Sequence, residues 1–127
     1  FVKQALSNQP LTVFGDGQQR RCFTDVSDVV SALVGLIECD RAVGDVFNIG
    51  SDNEIAIVDL ATQIIHAVGS KSSIEYISYE DAYDKDFEDM RRRIPNINKI
   101  RSAIDYSPKI ELDEIIRSVI EYHRHSK

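Results

Sequence analysis

Three stretches of this chain carry apolar residues at helical spacing, and the extended runs between them are only about four or five residues long. That pairing limits the fold more than composition does. Leu11 to Phe14 is a short apolar run closed by Gly15-Asp16-Gly17, which predicts a strand ended by a turn. Residues 21–24 read as a second short extended piece. Asp25 then predicts a helix N-cap, with Asp28 three residues on, and the helix is expected to bury Val29, Val30, Leu33, Leu36 and Ile37. Val46-Phe47-Asn48-Ile49 reads as a strand, and residues 54–57 as another short extended piece. A second helix opening at Val58 would bury Leu60, Ala61, Ile64, Ile65 and Val68 and stop at Gly69. Residues 73–77 alternate as a strand does. Residues 79–90 are acidic and read as an exposed loop. A short helix over 97–105 and a last helix built on Leu112, Ile115, Ile116, Val119 and Ile120 complete the pattern, and residues 1–6 read as part of a helix. Strands and helices alternate, so the class is α/β. The strands are too few for a doubly wound sheet, which leaves a small α/β lobe or the tail of a larger fold.

Charge narrows the ligand class. The formal net charge is −6, which disfavours a nucleic-acid partner because an acidic surface repels phosphates. Basic residues nevertheless gather at Arg20-Arg21 and at Arg91-Arg92-Arg93. Two small basic clusters in an acidic chain suit a small anion better than a polymer. No apolar run approaches the roughly 20 residues that cross a bilayer, so no membrane partner is expected. Cys22 and Cys39 lie in no CxxC motif and complete no metal set with His66, His123 and His125, so they read as free thiols of a cytoplasmic protein.

The stretch from Pro10 to Asp28, PLTVFGDGQQRRCFTDVSD, resembles a segment of the extended short-chain dehydrogenases/reductases that act on nucleotide sugars: NAD-dependent epimerases, dehydratases and decarboxylases. Glu88 to Asn96, EDMRRRIPN, and residues 97–110 resemble two later blocks of the same family, in the same order. The resemblance implies a small C-terminal substrate-binding lobe of an extended Rossmann-type fold, spanning residues 1–127. Such a lobe is incomplete without an N-terminal NAD-binding domain, and the start at Phe1 inside a helix fits a cut chain. The resemblance further implies that Arg21 and Arg93 grip a nucleotide diphosphate together. It places Leu11, Val13 and Phe14 along the base, partly through backbone groups. Gln19 and Asn96 are further candidates, Asn96 standing where the family usually has aspartate.

The residue chemistry agrees with a diphosphate role, since arginine presents planar forked donors that fit phosphate oxygens. Asp16 is expected to shape the turn through its side chain rather than touch ligand. Arg20, Arg91 and Arg92 are expected to be solvated or paired with the acidic loop. No third glycine follows at position 20 and no helix begins there, so the dinucleotide fingerprint is missing. No tyrosine has a lysine four positions later, so the family's Tyr-x-x-x-Lys pair is missing too. No catalytic, cofactor-binding or metal residue is therefore expected within these residues. Two readings stay open: the substrate-binding part of an NAD-dependent enzyme acting on UDP- or dTDP-linked sugars, or a stand-alone nucleotide-sugar-binding or self-associating module, such as a homodimer, without catalysis.

Overall fold

The computed structural model describes residues 1–82 and 89–125. The chain runs α1 (Val2–Leu6), β1 (Leu11–Phe14), β2 (Arg20–Cys22), α2 (Val26–Ile37), a 3-10 turn (Asp40–Ala42), β3 (Glu54–Ala56), α3 (Ile57–Val68), β4 (Ile74–Ile77), α4 (Tyr79–Ala82), β5 (Arg92–Arg93), α5 (Asn98–Ile104) and α6 (Leu112–His125). It divides into two compact units. The first comprises Phe1–Arg21, Ile55–Arg92 and Ile116–Lys127, and the second Cys22–Glu54 and Arg93–Ile115.

In the first unit β1 and β4 pair in parallel, with Leu11 beside Ile74 and Phe14 beside Ile77. Leu11 and Val13 are fully buried, so one face of β1 serves the core. Helix α3 packs against β1 and α1 and buries Leu60, Ala61 and Ile64, three of the five residues its periodicity picks out. Ile65 and Val68 are half-buried. Gly69 ends the helix in the left-handed conformation, at φ 70°, as a C-terminal glycine does. Ile116 and Ile120, four residues apart on α6, are buried as well. A small sheet orders the remaining strands β3-β2-β5.

The core of the second unit is Ala32, Ile97, Ile100 and Tyr106, with Leu36, Phe47, Ile49 and Ile104 packed against it. Asp25 caps α2 as its sequence predicts, accepting from the Ser27 N–H at 2.8 Å. Two expectations fail in this unit. Residues 46–49 form no strand, because a ladder needs a neighbour and among the described residues no strand pairs with them. Phe47 and Ile49 contribute side chains to the core instead.

The buried face of α2 is only partly the expected one: Leu36 packs against the core and Val29 is half-buried. Asp28 and Ala32 are buried, while Val30, Leu33 and Ile37 are 52%, 48% and 84% exposed. The reason is steric. A Cβ on Gly35 would lie 3.0 Å from the Ile104 Cδ1, so α5 approaches along the small side of the helix, where large side chains would not fit. The apolar stripe is left outside, joined by Val26 and Val34. An exposed stripe of this kind promotes association. Replacing Val30 and Ile37 by lysine is therefore expected to leave the melting temperature unchanged and to shift the chain toward a monodisperse monomer at high concentration. Light scattering coupled to gel filtration reads this, and wild-type chain that is already monomeric at high concentration would refute it.

Candidate functional site

Around the Gly15-Asp16-Gly17 turn the first unit collects its charged and hydrogen-bonding side chains. Gly15 and Gly17 both hold positive φ, at 65° and 71°. Neither could carry a side chain cheaply: a Cβ on Gly15 would lie 2.5 Å from the Tyr79 Cε2, and one on Gly17 2.9 Å from Val58 Cβ. Asp16 shapes the turn as expected, its Oδ1 accepting from the Gln18 N–H at 3.0 Å. Its Oδ2 accepts from Arg91 Nη1 at 2.6 Å. That bond, followed by the one from Gln18, holds the Asp16 carboxyl below its usual range and raises Arg91. Both partners are exposed, so the pair orients the turn more than it stabilises it.

Gln19 is buried and donates through Nε2 to the Phe14 carbonyl at 3.0 Å. Its amide closes the turn onto the end of β1. Phe14 itself is half-buried, while Leu11 and Val13 turn their side chains into the core. Any ligand contact from those two residues must come through the backbone.

Arg21 is held by three hydrogen bonds from its guanidinium. Its Nη1 donates to the Arg20 and Met90 carbonyls, each at 2.8 Å. Its Nη2 donates to Asp89 Oδ1 at 2.5 Å. The second oxygen of that carboxylate, Oδ2, accepts from the Tyr79 hydroxyl at 3.1 Å. The Tyr79 ring in turn lies against Gly15. Burial, followed by the hydrogen bond to Asp89, pushes the Tyr79 hydroxyl above its usual pKa, so it stays a neutral donor. The three bonds leave the Nε–H and one Nη2 proton of Arg21 outside them, enough to meet an anion's oxygens.

Of the acidic segment, residues 83–88 lie outside the described residues. The described ends differ from the exposed loop expected. Tyr79 opens the one-turn helix α4 and is half-buried, as is Asp89. Arg21 meets the acidic segment through Asp89, and Arg91 meets Asp16. Glu88-Asp89 stood in a recognisable sequence block, but nothing local pointed to Tyr79.

Two further candidates belong to the second unit. Arg93 is exposed at the end of β5. Asn96 is exposed, and its Oδ1 accepts from the Asn98 N–H at 3.0 Å at the entry to α5. Its carbonyl accepts from Asn48 Nδ2 at 3.3 Å. No group of three or more metal-binding side chains occurs among the described residues, and no described helix is long and apolar enough to cross a membrane.

A family model described as GDP-mannose 4,6 dehydratase matches residues 1–119. The chain belongs to this family, within the extended short-chain dehydrogenases that handle nucleotide sugars. It is 32% identical over 124 residues to the UDP-N-acetyl-alpha-D-glucosaminuronate decarboxylase of Bacillus cytotoxicus, covering 98% of this chain and 38% of that one. It is 37% identical over 124 residues to UDP-glucuronic acid decarboxylase 1 of Xenopus tropicalis, covering 98% of this chain and 28% of that protein. Among solved structures, the UDP-glucuronic acid 4-epimerase of Bacillus cereus, in complex with UDP-glucuronic acid and NAD, aligns with a TM-score of 0.85 at 25% identity. That alignment covers 99% of this chain and 38% of the epimerase. The dTDP-glucose 4,6-dehydratase of Bacillus anthracis, in complex with NAD, aligns with a TM-score of 0.82 at 28% identity, covering 98% of this chain and 38% of that one. The mixed α/β architecture with parallel strands thus matches Rossmann-like members of the family, of which the chain spans well under half.

Proposed function

We propose that this chain is the C-terminal, nucleotide-sugar-binding lobe of an NAD-dependent epimerase, dehydratase or decarboxylase acting on a UDP- or dTDP-linked sugar. The observation that carries the reading is the fixing of Arg21. A long, flexible cation lies beside a two-glycine turn, held in one orientation by two carbonyls and a carboxylate, with donors to spare. A diphosphate needs such a planar donor set. In this reading Arg21 and Arg93 hold the diphosphate, and Phe14 with the backbone of Leu11 and Val13 lies along the base. Gln19 supports that strand end through the Phe14 carbonyl, and Asn96 reaches toward the ribose. The lobe's part in the reaction is to bind and orient, fixing the sugar where an oxidant meets it.

NAD supplies the hydride acceptor in this chemistry. The residues here do not fit it: the Gly15-Asp16-Gly17 turn leads into β2, not into a helix whose N-terminus could take a dinucleotide pyrophosphate. Cofactor binding and proton transfer accordingly belong to a domain outside residues 1–127, in a cytoplasmic protein. The second reading, a self-associating module without catalysis, is favoured only by the exposed stripe on α2.

Titration with UDP, dTDP and GDP, followed by NMR, tests the main reading. The pyrimidine diphosphates are expected to bind on the order of a millimolar, with the largest shifts at Arg21 and at residues 11–14. The absence of any shift at Arg21 with all three nucleotides would sink it.

A further inference from the structure

The two oxygens of Asp89 divide their work, one taking Arg21 Nη2 at 2.5 Å and the other the Tyr79 hydroxyl at 3.1 Å. The carboxylate is thus fixed from both sides, and the Tyr79 ring that fixes it rests on the Gly15 turn. The Arg21 and Asp89 side chains are only 19% and 23% exposed. A carboxylate in this position would ordinarily be read as a hindrance, since it partly neutralises the cation meant for a phosphate and repels the phosphate itself. The geometry supports the opposite sign. An unrestrained arginine loses much rotamer freedom when it closes on a ligand, and a side chain already locked in place does not lose it again.

We propose that Asp89, braced by Tyr79, is a positioning residue that presents Arg21 to the diphosphate, so that this negative charge strengthens anion binding. The inference rests on the reading that Arg21 touches the diphosphate. It adds that the turn, the tyrosine and the aspartate form one brace: Gly15 is the surface on which the ring sits, Tyr79 holds Asp89, and Asp89 holds Arg21. Met90 belongs to the same device, since its carbonyl, one residue beyond Asp89, accepts from Arg21 Nη1 at 2.8 Å. Tyr79 thereby joins the acidic segment's end to the glycine turn, and Arg21 joins it to β2.

The test measures the dissociation constants of the full chain for UDP and for uridine, which lacks the phosphates. Asp89→Asn keeps the shape and removes the charge. It is expected to weaken UDP binding about fivefold to tenfold and to leave uridine binding unchanged. Tyr79→Phe keeps the ring on Gly15 and removes one bond, with about a twofold to threefold loss for UDP alone. In an Arg21→Ala background both effects should vanish, because the brace acts only through that guanidinium. Tighter or unchanged UDP binding in Asp89→Asn would overturn the proposal, showing that repulsion outweighs positioning or balances it. Equal losses for UDP and uridine would overturn it too, since they mark a scaffold defect. If Asp89→Asn does not fold, Tyr79→Phe decides the same question by the same comparison of UDP with uridine. Arg21→Ala with unchanged UDP affinity identifies the diphosphate reading itself as the failed step.

Discussion

Replacing Asp28 with alanine is expected to destabilise the chain by about 3 kcal/mol. Asp28 is 6% exposed, and its two oxygens accept the Lys109 N–H at 3.1 and 3.0 Å and the Ile110 N–H at 3.0 Å. These bonds tie the loop between α5 and α6 to the first turn of α2. Alanine would leave two backbone donors without their acceptor, each worth about 1–3 kcal/mol when buried. A domain of this size has a net stability of roughly 5–15 kcal/mol, so the loss is a large share of it. Urea unfolding followed by circular dichroism should show a lower midpoint with an unchanged slope. Asp28→Asn, which keeps one accepting oxygen and turns donors toward donors, should fall between wild type and alanine. A loss below about 0.5 kcal/mol for alanine would mean that water takes over both amides and that the carboxylate is not what holds the loop.

The second large effect concerns ligand. Arg21→Ala is expected to weaken UDP binding by at least about tenfold, the usual loss for a charge-assisted hydrogen bond to phosphate. Arg21→Lys should recover only part of it, because an ammonium keeps the charge and loses the fork. Arg93→Ala is expected to weaken UDP binding to a similar degree. The double variant then decides whether both arginines serve one diphosphate. If they do, the two losses are non-additive, since removing one lets the ligand shift away from the other. Independent, additive losses would place the two cations on separate groups. No loss from Arg93→Ala would remove it from the site and leave Arg21 and its brace as the whole of the anion contact.

Some of the site is legible in the residues alone. Gly15 and Gly17 mark the turn, and both do take positive φ. Asp16 is a residue type that shapes turns through its side chain, and it does so here. The brace is not legible. Tyr79 and Asp89 sit ten residues apart around residues 83–88, and Arg21 lies 68 positions from Asp89. No helical or strand period links such positions, so only the folded chain brings them together. Gln19 is a related case: its side chain donates to the Phe14 carbonyl, a bond that no local period announces. The acceptor lies five residues back, at the end of β1.

What the residues settled unaided is what depends on near neighbours. The strand over Leu11–Phe14, the cap at Asp25, the stop at Gly69 and the run of α6 follow from side-chain period, a short polar side chain or a missing Cβ, and each was readable because its cause lies within a turn or two. Tertiary structure decided the choices that local chemistry leaves level. Helix α2 carries more apolar residues than one face can hold, and the approach of α5 past Gly35, not hydrophobicity, selected Ala32 and Asp28 for burial. Residues 46–49 have a strand's composition, but among the described residues no strand pairs with them, so their backbone stays irregular while Phe47 and Ile49 pack. Close packing and hydrogen bonding between distant segments have no period along the chain, which is why those outcomes waited for the fold.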